Sequence, residues 1–201
     1  MKKNKLNLRL LFAITALLAF ASCKSEDPEE ENEGELITDV ILRFTEIDAA
    51  AGPGTPFEVK ASDPQGLQSG TTPTIETINL APGKLYRLEI RLLNSIEGEE
   101  ITEEIEEEME EHQFFFLGTA FAGSPIAQYE YLDADADGNP VGLEGLVQVS
   151  GSPATNNAIF RLVLRHDLDK NFPGANNPHW QNFTQAGGET DLDISFPLVL
   201  N

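Results

Sequence analysis

The chain has very little of what builds covalent frameworks and the commonest metal clusters. Among 201 residues there is one cysteine, Cys23, so no intrachain disulfide and no cysteine-based zinc or iron–sulfur cluster can form. Bases are scarce as well: 13 Lys and Arg stand against 34 Asp and Glu, a formal net charge of −21. A chain of that sign repels a phosphate backbone, which argues against nucleic acid as a partner. The apolar run from Leu10 to Phe20 has 11 residues, too few for the roughly 20 that a membrane-spanning helix needs. There is no P-loop, no G-x-S-x-G elbow, no H-E-x-x-H and no G-x-G-x-x-G. Acids are so abundant that no glycosidase pair stands out. These absences favour a protein that is not an enzyme.

Hydrophobic residues make up 40% of the chain, enough for a packed core. The N-terminus reads as an address. Lys2, Lys3, Lys5 and Arg9 form a positive region ahead of the apolar run, and Phe20-Ala21-Ser22-Cys23 follows it. That tetrapeptide resembles a bacterial lipobox, with Phe20 where Leu is commoner. The expectation is a lipoprotein signal peptide over 1–22, with Cys23 acylated and anchored in a membrane. Losing residues 1–22 removes four positive charges and no acid, so −21 becomes −25 over the remaining 179 residues. Residues 23–35 are acidic and nearly free of apolar side chains, which predicts an extended tether. The Lys24-led acidic stretch resembles the export tag of Bacteroidota-type surface lipoproteins and implies the outer membrane, on its periplasmic or cell-surface face.

From Leu36 onward the apolar residues recur with period 2, and Gly or Pro punctuates most segments every 8–15 residues or so. Val40 to Phe44, Phe57 to Ala61, Ile78 to Leu80, Tyr86 to Leu92, Phe114 to Phe121, Ile126 to Leu132, Leu143 to Val149, Ile159 to His166 and Leu192 to Leu200 read as strands. This predicts a mainly β fold over 36–201, an Ig-like antiparallel β-sandwich of about nine strands with one short acidic helix. The helix is expected between Gly98 and His112, where Ile101, Ile105 and Met109 fall at i, i+4 and i+8.

Ten acids and no base lie between Glu97 and Glu111, with six like-charge pairs at i, i+4. Together these would cost about 1–3 kcal/mol before screening. Such a helix invites a cation, or it is a solvated face. Glu108 and His112 share the spacing at which one helix offers two metal ligands. His166 is in phase with Phe160, Leu162 and Leu164, and Asp191 opens the last strand. Glu108, His112, His166 and Asp191 therefore form a candidate transition-metal set; the competing reading is two separate structural histidines.

Asp133, Asp135, Asp137 and Glu144 occupy positions 1, 3, 5 and 12 of a calcium-loop template, with Gly138 at 6. Strand-like flanks and Pro140 dissent from an EF-hand, and an acidic hairpin turn explains the same residues. His179 and Trp180 either offer a surface for a sugar or cover the sandwich edge.

Glu100 to Ile105, Glu111 to Phe116, Asp137 to Pro140 with Gly142 and Leu143, Arg165-His166 and Gly188 to Asp191 resemble segments of an acidic lipoprotein family of Bacteroidota envelopes. The resemblance covers most of residues 85–196. It implies an envelope location and one domain; activity in that family is not established. The leading expectation is a non-catalytic envelope lipoprotein that binds a cation or small solute, as an accessory to an outer-membrane transporter or another surface partner. The alternative is a structural or adhesive surface module with a calcium-stiffened hairpin.

Overall fold

Period-2 alternation in the sequence becomes inside–outside alternation in the sheet. In strand β6 (Leu85–Leu93) Tyr86, Leu88, Ile90 and Leu92 are buried, while Arg87 and Arg91 are exposed. The computed structural model describes residues 36–201, part of a unit that runs from Gly34 to Asn201. The signal segment 1–22, Cys23 and the tether 23–35 lie outside the described residues. No helix among the described residues is long and apolar enough to cross a membrane.

Two sheets form a β-sandwich. The larger runs β4 (Thr74–Ile75), β3 (Phe57–Ser62), β1 (Asp39–Asp48), β6, β9 (Glu144–Val149) and β8 (Ala127–Tyr131), with β2 (Gly52–Pro53) paired to the end of β1. The smaller runs β5 (Ile78–Leu80), β11 (Glu189–Leu200), β10 (Asn157–His166) and β7 (His112–Leu117). Every pairing is antiparallel except β5 with β11. Between the sheets Leu42, Phe44, Leu88, Phe114, Phe116, Phe160 and Phe196 are fully buried.

All nine expected strands are present, and the two-residue strands β2 and β4 join them. The strand expected over Phe114 to Phe121 stops at Leu117, because Gly118 takes a φ of +87° and the chain leaves the β region there. The helix α1 is shorter than expected: it spans Ile101–Glu107, not Gly98 to His112. It has no side-chain N-cap and no base in its last turn, so its glutamates are uncompensated at the dipole's negative end. Ile101 and Ile105 still enter the core, while Met109 packs against it from beyond the helix.

Strand β7, His112-Gln-Phe-Phe-Phe-Leu117, is buried at every position because both faces are covered. Phe114 and Phe116 face the core. Phe115 and Leu117 face a second cluster with Val163, Leu168, Phe183 and Ala186, formed by a strap over 167–188. The outer edge of β7 is also covered: Phe114 N–H donates to the Val141 carbonyl and Phe116 N–H to the Pro178 carbonyl, each at 2.7 Å.

Candidate metal centre

His112 opens β7 and His166 closes β10, and the ladder sets them directly opposite each other. Both side chains fall on the inward face, in phase with Phe114 and Leu164. Their rings stack, with centroids 4.5 Å apart and planes 7° from parallel. The two histidines are thus one pair and not two separate structural residues.

A β-bulge supplies the third member. Leu164 pairs with Leu192 but Arg165 pairs with Thr190, so Asp191 is the extra residue in β11. Its side chain is only 5% exposed, and its Oδ2 lies 4.0 Å from His112 Nε2. That oxygen is buried with no hydrogen-bond partner. Buried carboxylate oxygens normally have one, which marks this atom as poised for something else. The turn entering β11 allows only glycine: at Gly188 φ is +70° and a Cβ would lie 2.1 Å from the His166 carbonyl oxygen.

Glu108 converges with the two histidines, in a set of ligand atoms that does not include Asp191. One ligand atom each from Glu108, His112 and His166 lie within 4.8 Å of one another. Glu108 is not on a helical face shared with His112, as the sequence suggested; it follows α1, and His112 sits in β7. The turn still brings them together, and His112 Nδ1 lies 3.1 Å from the Glu108 carbonyl oxygen, to which it donates. That bond leaves Nε2 turned to Asp191, the arrangement in which a ligand histidine is oriented by a backbone acceptor on its other nitrogen.

Burial pushes the His112 imidazole below its ordinary value, and the neighbouring His166 adds to that. Burial also acts on His166, but the Glu111 carboxylate at 3.2 Å, with Asp191 and Asp167, outweighs it and raises that group. Burial raises Asp191, against the pull of both histidines and Arg165. A neutral imidazole is the form that binds metal, and burial favours it at His112. Ligands of a tetrahedral ion stand about 3.4 Å apart for bonds near 2.1 Å. Closing the 4.0 Å gap between His112 and Asp191 therefore takes only a small side-chain movement. The lone pairs of two stacked imidazoles lie in separate, nearly parallel planes, so one ring must tilt for both to meet the same ion.

The calcium candidate is not drawn together. Asp133 accepts from the Gly142 and Glu144 N–H groups at 2.7 and 3.0 Å. Asp135 accepts from the N–H groups of Asp137 and Asn139 and meets Lys170 Nζ at 3.2 Å. Glu144 pairs with Arg87 at 2.7 Å on the outer face of the sheet. None of these three, nor Asp137, belongs to a group of converging ligand atoms among the described residues. The segment is a tight turn between β8 and β9 with the positive-φ glycine Gly138 at its tip. The carboxylates of Asp133, Asp135 and Glu144 are occupied by N–H groups, Lys170 and Arg87.

Trp180 covers the sandwich: it stacks on Phe172 and packs beside Phe115. His179 acts at the same edge, as the covering reading expects. Its Nδ1 donates to the Phe116 carbonyl of β7 at 2.7 Å, and its Nε2 accepts from Tyr129 N–H of β8 at 3.3 Å. It ties the two sheets at one edge. No family model matches the sequence, and neither a curated protein nor a solved structure matches it.

Proposed function

We propose that this protein is a non-catalytic lipoprotein of the cell envelope, anchored through Cys23, that captures a divalent transition-metal ion at Glu108, His112, His166 and Asp191. The observation that supports the reading is the unpartnered, buried Oδ2 of Asp191 beside two stacked imidazoles. Two imidazoles with carboxylates suit a borderline ion such as Zn²⁺ or Cu²⁺ better than Ca²⁺, which prefers oxygen alone. The acidic surface favours any cation electrostatically, and the histidines supply the selection. The bound ion would then be passed to an outer-membrane transporter or another surface partner.

The test is metal analysis of residues 24–201 purified without chelator, with a His112→Ala, His166→Ala variant beside it. About one transition-metal ion per chain in the parent and none in the variant is expected. Equal, trace metal in both would leave a structural or adhesive surface module as the function. Cys23→Ser should release the full-length protein from the membrane fraction.

A further inference from the structure

His166 belongs to two groups of ligand atoms at once. The inner group is Glu108, His112 and His166; the outer is Glu111, His166 and Asp167. Exposure falls from the outer acids through His166 to His112 and Asp191, while Glu108 of the inner group is itself exposed. The side chains of Asp167 and Glu111 are 66% and 53% exposed, that of His166 is 11% exposed, and those of Asp191 and His112 are 5% and 1% exposed. The outer group is held in shape: Asp167 N–H donates to the Glu111 carbonyl at 2.9 Å. Asp167 is the only non-glycine residue with positive φ among the described residues, at 54°. His166 Nε2 stands 3.2 Å from Glu111 and 4.0 Å from Asp167.

We infer that a divalent transition-metal ion loads through this outer tripod of Glu111, His166 and Asp167 and passes to the inner group by movement of the shared His166. The inference rests on the proposed metal-capture reading and adds the route to it. A neutral imidazole offers one lone pair, so the shared His166 ligates one ion at a time and that ion changes ligands. Glu111 and Asp167 strip part of the ion's hydration shell in the open, where their charges are cheap to keep. His166 then carries it toward His112 and Asp191, where the unpartnered carboxylate oxygen gains a partner. The outer acids set the rate of arrival and departure; Asp191 sets the retention.

Stopped-flow transfer of Zn²⁺ from a weak chromophoric chelator to the protein tests this. Glu111→Gln with Asp167→Asn should lower the on-rate and off-rate together, each by about tenfold, with Kd nearly unchanged. Asparagine tolerates positive φ, so the turn is preserved. Glu103→Gln with Glu107→Gln removes the same charge from α1 and should leave the on-rate alone. Asp191→Asn should raise the off-rate about tenfold or more without slowing arrival. Titration should end at one ion per chain. Two ions bound at once, or an on-rate indifferent to the outer acids, would overturn the route while leaving metal capture standing. Absence of Zn²⁺ binding in the parent protein would overturn both.

Discussion

Lys170 and Asp135 form an ion pair at 3.2 Å in which the two side chains are 3% and 1% exposed. Lys170 also donates to the Met109 carbonyl, so one ammonium group joins the strap, the β8–β9 turn and the segment after α1. Burial holds its pKa down, and the Asp135 carboxylate works against that.

Removing one partner of such a pair leaves the other charged and dry. Lys170→Met is expected to cost about 3–5 kcal/mol. Urea unfolding should show this as a lower midpoint with an unchanged slope. A loss below about 1 kcal/mol would mean that water reaches Asp135 in the native state.

His179 gives a pH dependence of definite sign. Burial lowers its pKa from 6.5, and the bond to Phe116 opposes this only in part. Its Nε2 accepts from Tyr129, so protonation forfeits that bond. A group with a depressed folded pKa binds more protons when unfolded below pH 6.5. Its contribution is complete above pH 6.5 and is lost as pH falls through that value toward the folded pKa. His112 shifts the same way and His166 the opposite way, so the comparison must be with a variant. The stability difference between the parent and His179→Gln should be larger at pH 8 than at pH 5. A difference that does not vary with pH would exclude the neutral ring as the bridge.

Asp191 should trade stability for binding. Burial raises its pKa, so at neutral pH the folded state holds an unfavourable charge. Asp191→Asn should stabilise the chelator-treated protein by about 1 kcal/mol. Zn²⁺ should raise the thermal midpoint of the parent by mass action, RT ln(1 + [L]/Kd), and raise that of the variant much less. Equal increments in both would remove Asp191 from the ligand set.

Gly188→Ala places a methyl group 2.1 Å from the His166 carbonyl oxygen at a φ of +70°. A cost above about 2 kcal/mol is expected, together with weakened Zn²⁺ binding, since the same turn seats His166. Retention of both would show that the turn relaxes independently of the site.

The strands were legible because one face of each is wet. Alternation at Tyr86 to Leu92 is the direct imprint of a half-buried sheet. The site was legible as residue types but not as a place. His112 and His166 meet through a ladder register spanning 54 residues of chain, and Asp191 turns inward through a register shift that leaves no mark in local sequence. The spacing of Glu108 and His112 suggested a shared helix; a short turn into a strand produces the same proximity by other means. The strap was the least visible part. Lys170, Phe172, His179, Trp180 and Phe183 have no periodicity, and only tertiary packing gives each its partner. The Asp133 to Glu144 pattern misled because carboxylates that cap backbone N–H groups occupy the same turn positions as carboxylates that hold an ion.

The cover over β7 also governs how this protein would fail. His112 to Leu117 is a run of six buried residues on the last strand of the smaller sheet, and the Pro178 carbonyl and the strap's aromatic residues hide its edge and one face. Partial opening of the strap, with the rest of the sandwich intact, would bare Phe115 and Leu117 and free the Phe116 N–H at the strand edge in a single step. Chains opened in this way would add strand to strand and accumulate as aggregates before global unfolding became measurable. The practical lifetime of the protein is therefore set by how often residues 167–188 lift, more than by the depth of its core.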